Sequence, residues 1–223
     1  MVGRAVWTPG SIGVAVTEDI REQERRLVQG LKHGESDAFR TLHSLYETST
    51  YNLVYRMLGP FVSDAEDITQ EVFITILQSI SQFQQRSRLS TWIYRIAVNR
   101  CRNHLKYMRR RRMEKHVAFE EELEHGDTSF TQSGLLSRPD RAVEAMEVQQ
   151  FIQAVMAHLP DEHREIVVLR DIIGLSYDEI EAITKLRAGT VKSRLFRARQ
   201  ALRQAYEFWN KRQNDAQTEK EST

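Results

Sequence analysis

Few positions in this sequence can turn a chain sharply. Glycine fills ten and proline four of the 223 residues, about half the usual share. A β-sandwich or barrel reverses direction every few residues and needs far more of both. Apolar residues instead recur with helical period along most of the chain, so the expected fold class is all-α. The longest stretch without a charge, Val72 to Gln85, is too short and too rich in Gln and Ser to span a bilayer. The first seventeen residues offer one cation, Arg4, and an apolar run broken by Pro9, Gly10 and Gly13, a poor secretory signal. Cys101 is the single cysteine, which excludes an internal disulfide framework and a cysteine-rich zinc site. The expectation is a cytoplasmic protein without membrane insertion, cofactor or metal.

Net charge is +1, yet the charges are segregated. Val72 to Met113 holds ten cations, Arg86, Arg88, Arg95, Arg100, Arg102, Lys106 and Arg109 to Arg112, and no acid. Glu114 to Glu147 holds nine acids against Lys115, Arg138 and Arg141. Ala182 to Tyr206 holds seven cations and again no acid. Basic, acidic, basic is the pattern of two polyanion-binding modules on an acidic connector. A single cationic stretch can be a solvated helix face, whereas two acid-free blocks of this length are harder to dismiss.

Boundaries follow from the punctuation. Residues 1–19 lack periodicity and read as a disordered extension. Helical patterning starts near Glu18, breaks at Gly34 to Ser36, resumes at Asp37 and stops at Gly59-Pro60. Ser63 with Glu66 has the spacing of a capping box, opening a helix whose Ala65, Ile68, Val72 and Ile76 form one stripe. After a polar break at Gln84 to Ser87, another helix runs from about Ser90 through Leu105, with Ile93, Ala97 and Cys101 inward, and its continuation into the arginine run is left open. This completes a first domain, 20–112. Residues 113–139 read as a flexible acidic linker, with a short helix at Phe119 to Glu124. A second domain, 140–210, begins near Asp140, and its first two helices carry Phe151 to Met156 and Ile166 to Leu169. Ser176 with Glu179 caps a short helix, Lys185 to Gly189 turns, and a long helix runs to about Trp209, ahead of a polar tail, 211–223.

The end of the second domain reads as a helix-turn-helix. Val191, Leu195, Ala198 and Leu202 keep the helical period and face the core. Lys192, Ser193, Phe196 and Arg197 then project outward, with Arg199 and Arg203 beyond. A major groove admits one helix and its base edges accept from Arg, Lys and Ser, while Phe196 suits a thymine methyl or a sugar. The competing reading is a surface helix whose arginines serve solubility.

The segments LPDEHREIVVLRDIIGLSYDEIEAI and GTVKSRLFRARQAL, between Leu159 and Leu202, resemble region 4 of the extracytoplasmic-function (group IV) sigma factors, of sigma-E-like type. The resemblance implies that the last helix binds the −35 promoter element, through Arg187, Thr190, Lys192, Ser193, Phe196, Arg197 and Arg199, and that the domain contacts the polymerase flap. The family's turn here usually carries Gly and a capping Ser or Pro, whereas this chain has Lys185, Leu186 and Arg187.

SDAEDITQEVFITIL (Ser63 to Leu77) and STWIYRIAVNRCRNHL (Ser90 to Leu105) are similar to sigma region 2 of the same family. Asp64, Asp67, Gln70 and Glu71 lie opposite the apolar stripe and suit a basic helical partner; the resemblance implies the clamp helices of the RNA polymerase core. Without it, a solvated face is the serious alternative. The next helix interleaves Trp92, Tyr94, Asn99 and Asn103 with Arg95, Arg100, Arg102 and Lys106, the mixture that single-strand capture needs. Trp92 taken alone is more often core than base-stacking. The resemblance assigns −10 recognition and melting to this helix, through Trp92, Tyr94, Arg95, Asn99, Arg102 and Asn103, and to the preceding loop, Phe83, Gln84, Gln85, Arg86, Ser87 and Arg88. Where family members often have Gly and an acid in that loop, this chain has Gln84, Gln85 and Arg86. Promoter DNA, polymerase core and an anti-sigma factor are the implied partners of a chain that is monomeric when free. The linker, by the same resemblance, threads the polymerase cleft, where Glu120 to Glu122 and Glu124 act as phosphate mimics or as a solvated tether.

Two other functions compete. A helix-turn-helix regulator with a dimerising first domain leaves the aromatic and basic helix of that domain unexplained. A helical nuclease or phosphohydrolase needs a phosphate-cradling glycine loop, a paired-histidine metal motif or a nucleophile triad, and none is present. No enzyme chemistry is expected.

Overall fold

Every element is a helix among the described residues, which in this computed structural model are 14–119 and 151–221 for the backbone and 21–113 and 151–210 for side chains. The first domain is α1 (Val14–Lys32), α2 (Ser36–Leu58), a 3-10 turn (Gly59–Asp64), α3 (Ala65–Ser79), a second 3-10 turn (Ile80–Gln82) and α4 (Leu89–Phe119). The second is a helix over residues 151–158 (α5), α6 (Asp161–Val167) widening into a π turn (Val168–Ile172), α7 (Tyr177–Thr184) and α8 (Ala188–Glu221).

The sequence stripes become the core. Ala65, Ile68, Val72 and Ile76 of α3 meet Leu42, Leu53 and Leu58 of α2 and Ile93, Ala97 and Cys101 of α4, all buried. Each such Leu or Ile contributes about 1.5–3 kcal/mol by leaving water. Burial also pushes the Cys101 thiol up to about 12, which leaves it protonated and unreactive. In the second domain Ile166, Leu169, Ile180, Val191, Leu195 and Ala198 form the equivalent centre, and Phe151 stacks on Trp209 at 4.7 Å, tying α5 to α8.

Three boundaries differ from expectation, and a fourth that the sequence left open is fixed. α1 starts at Val14 rather than near Glu18. α4 takes the longer of the two courses left open, carrying the arginine run on to Phe119, because nothing in that run breaks a helix. α8 continues past Trp209 to Glu221. The Ser63–Glu66 capping box does not form: Gly59-Pro60 tightens the chain into a 3-10 turn that includes Ser63, whose hydroxyl donates to Asp64 Oδ1 at 3.0 Å instead. The Ser176–Glu179 box does form, Glu179 N donating to Ser176 Oγ at 3.2 Å and Ser176 N to Glu179 Oε2 at 2.9 Å. Residues 1–13, the linker beyond Phe119 and the start of the second domain near Asp140 lie outside the described residues.

The domains pack directly on each other, α4 against α7 and α2 against α6 and the π turn. Arg164, 2% exposed, is the centre of the contact. Its Nε donates to Met57 O at the end of α2 (2.9 Å), and its Nη1 to Met156 O (3.2 Å) and Leu159 O (3.1 Å) at the end of α5. Asp161 takes Nη2. One guanidinium thus satisfies the unpaired carbonyls of two helix ends, where a cation is also favoured by the helix dipoles. Gly59 makes room for it: at φ +58 a Cβ would stand 2.7 Å from Arg164 Nη1. Alongside, Gln153 Nε2 donates to Tyr55 O (3.2 Å) and Gly59 O (3.3 Å).

Candidate nucleic-acid interface

α8 presents the expected outward row. Val191, Leu195 and Ala198 anchor the helix in the core, so Lys192, Ser193, Phe196 and Arg197 are exposed on its other side. Phe196 is 62% exposed, an aromatic ring without a core to enter. The rest of the row is tied down to different degrees. Tyr177 of α7 lies between Arg170 and Lys192, at 4.8 and 5.6 Å from its ring centre. Arg199 makes a paired contact with Asp171, at 3.0 and 2.5 Å, which raises its pKa further above neutrality. Ser193 Oγ donates to Thr190 O at 3.0 Å. Arg187 sits in the turn before α8, its carbonyl accepting from Thr190 N (2.9 Å) and Val191 N (3.1 Å). Lys185 supplies the left-handed residue of that turn, φ +64.

The second candidate surface divides in two. Gln84, Gln85, Arg86, Ser87 and Arg88 form an exposed loop tip, with Gln85 at φ +55. Phe83 and Leu89, its roots, are buried, and the Phe83 ring packs 5.0 Å from Trp92. Trp92 is 8% and Tyr94 7% exposed; both are core residues in this packing and offer no free ring face. Tyr94 donates to Ser49 Oγ at 3.1 Å, and burial raises its pKa. Asn99 and Asn103 are exposed on α4, and Arg95 is half-buried. Arg102 turns toward the second domain, donating to both carboxylate oxygens of Glu165 at 2.8 and 2.6 Å. Thr91 reaches toward Glu179 of α7 at 3.5 Å.

On α3 the acidic face is also only partly free. Asp67 and Gln70 are exposed. Glu71 pairs with Arg100 at 3.4 Å, and Asp64 lies 2.8 Å from His104 Nε2. Ile74 (53% exposed) and Leu77 continue the same face. Among the described residues no group of His, Cys, Asp and Glu could hold a metal ion, and no helix is long and apolar enough to cross a membrane.

Residues 42–112 match the family described as sigma-70 region 2, and residues 150–202 match sigma-70 region 4. The ECF RNA polymerase sigma factor SigW of Bacillus subtilis is 37% identical over 182 residues, 80% of this chain and 94% of the relative. This chain belongs to the ECF RNA polymerase sigma factors. Its work is therefore that of a sigma factor, in transcription initiation. The RNA polymerase sigma-H factor of Pseudomonas aeruginosa is 33% identical, covering 83% of this chain and 94% of that one. The ECF RNA polymerase sigma-E factor of Escherichia coli K12 is 36% identical, covering 79% and 90%. Two solved structures share the fold: CnrH in complex with the cytosolic domain of CnrY (TM-score 0.59, 20% identity, 82% of this chain and 97% of that one), and the sigma factor RpoE in complex with the anti-sigma factor NepR from Bartonella quintana (TM-score 0.56, 24% identity, 76% and 96%).

Within this sigma factor, three features escaped the sequence reading. Ile74 and Leu77 follow Asp67, Gln70 and Glu71 at helical spacing, so their placement was available from periodicity. Arg164 and Glu165 gave no signal, because in sequence they are two charges in a run of charges. Glu24 and Lys32 lie on α1, away from both family segments, yet each bonds a root of the 84–88 loop.

Proposed function

We propose that this sigma factor reads the −35 element with the outward row of α8, reads and opens the −10 element with the 84–88 loop and the exposed side of α4, and binds the clamp helices of polymerase core through α3. The single observation that carries the reading is the row Lys192, Ser193, Phe196 and Arg197, exposed on a helix whose opposite side is locked into the core. An exposed aromatic among cations on the acid-free stretch of α8 up to Tyr206 suits a groove lined by base edges and sugars. For core binding, Asp67 and Gln70 pass along α3 into Ile74 and Leu77, a face with an acidic half and an apolar half. The flap as a contact of the second domain, an anti-sigma factor as partner, a monomeric free state, a cytoplasmic location and the absence of enzyme chemistry on the chain belong to the same reading.

The deciding experiment is run-off transcription with purified polymerase core. The protein plus core is expected to give promoter-specific transcripts; a helix-turn-helix regulator gives none without a separate sigma factor. For opening, the informative variant is Asn99→Ala with Asn103→Ala, since both side chains are exposed. Promoter binding is expected to persist while permanganate reactivity of −10 thymines falls, and a template with a pre-melted −10 bubble to restore transcription. Full opening by the double variant assigns melting to other residues.

A further inference from the structure

The 84–88 loop is held at both roots by one helix that belongs to neither base-reading segment. Glu24 of α1 accepts a hydrogen bond from Leu89 N, the first amide of α4. Lys32 of α1 donates to Phe83 O at 2.9 Å. The chemistry is matched at each end, a carboxylate on an unpaired N–H at a helix start and an ammonium on a carbonyl. The two residues stand eight positions apart, about 12 Å along α1, so the helix acts as a rigid spacer between the roots. The half-buried phenol of Tyr46 lies near Glu24 and Arg88, its pKa pushed up to about 12 by burial first and Glu24 second. Between the roots the five residues Gln84 to Arg88 are exposed, and Gln85 takes a left-handed backbone, φ +55.

We infer that Glu24 and Lys32 are specificity-determining positioning residues, which fix the 84–88 loop in the one shape that discriminates bases at the −10 element. The inference rests on the −10 role proposed above for that loop. A short polar tip discriminates bases only if its donors and acceptors are held before the base arrives, because ordering them on binding opposes the interaction. Burial of Phe83 and Leu89 anchors the side chains of the roots; Glu24 and Lys32 anchor their backbone, which sets the direction in which the tip leaves.

The test uses holoenzyme reconstituted from the full chain and polymerase core, selecting from a duplex DNA pool randomised at both the −10 and −35 segments. With Glu24→Gln and Lys32→Ala combined, preference at the −10 positions is expected to flatten about tenfold, the scale of one base-pair mismatch, with the −35 preference unchanged. Lys32→Arg, which keeps a donor for Phe83 O, is expected to retain the wild-type profile. An unaltered −10 profile in the double variant overturns the inference. Equal loss at −10 and −35 also overturns it, since the pair would then support the whole fold. A loop variant, Gln84→Ala with Arg86→Ala, separates the two levels: if it leaves the −10 profile intact, the loop does not read −10 and the parent reading fails. If it alters the profile while the α1 variant does not, only the inference fails.

Discussion

Lys185 holds a left-handed backbone conformation at the end of α7, φ +64, and closes the helix by donating its N–H to Glu181 O at 2.8 Å. Glycine is the residue that takes this position without a Cβ penalty. Here the contortion is imposed on a lysine, and the Thr184 hydroxyl supports it by accepting from Leu186 N at 3.3 Å. Lys185→Gly is therefore expected to raise stability by about 1 kcal/mol, the left-handed penalty less the extra chain entropy of glycine. The measurement is the urea midpoint at constant m-value. A drop in midpoint means that the lysine side chain contributes more than its backbone costs. The φ of Lys185 was not legible beforehand: the sequence marks a turn between two helical periods but does not say which residue must go left-handed.

At the scale of the helix, what was legible followed from local periodicity. The stripes of α3, α4 and α8, and the box that opens α7, depend on residues three or four apart, and each lies where the spacing put it. The box at Ser63 failed because capping also needs an extended N-cap, and the preceding Gly59-Pro60 turn removes it. Trp92 and Tyr94 were harder to read for a related reason. α4 is packed by α2 and α3 on one side and by α7 on another, so a wide arc of it is buried and a planar residue near its start is as much core as surface. For α8 the periodicity supports a sharper expectation. Arg197→Ala is expected to cost about 1–3 kcal/mol of discrimination at one −35 base step. Arg203→Ala, a turn and a half further on, is expected to weaken binding evenly and to lower the salt slope by about 1. Competition among −35 variants at several salt concentrations measures both, and unchanged base preference in Arg197→Ala removes that residue from the reading face.

The whole molecule is joined by contacts that no local pattern announces, Arg164 to Met57 O across 107 positions and Arg102 to Glu165 across 63. Arg164→Ala leaves several buried carbonyls without a donor and Asp161 without its buried partner, and is expected to cost about 3–5 kcal/mol. Because one of the lost bonds, to Met57 O, bridges the domains, one calorimetric transition is expected to split into two; a single peak at lower temperature places the contribution of Arg164 within the second domain. The pair between Arg102 and Glu165 has a different kind of consequence, for the ions in solution. A free arginine that settles on a DNA phosphate sets loose a condensed counterion, and affinity acquires about one unit of logarithmic dependence on salt for each such contact. Arg102 starts from a carboxylate instead. If a phosphate takes its guanidinium, Glu165 is bared and draws a cation from solution as the DNA gives one up, so the exchange leaves the count of free ions almost unchanged. A salt titration of this sigma factor on DNA would then register fewer phosphate contacts than it makes, and Glu165→Gln would make the missing one visible as a steeper slope.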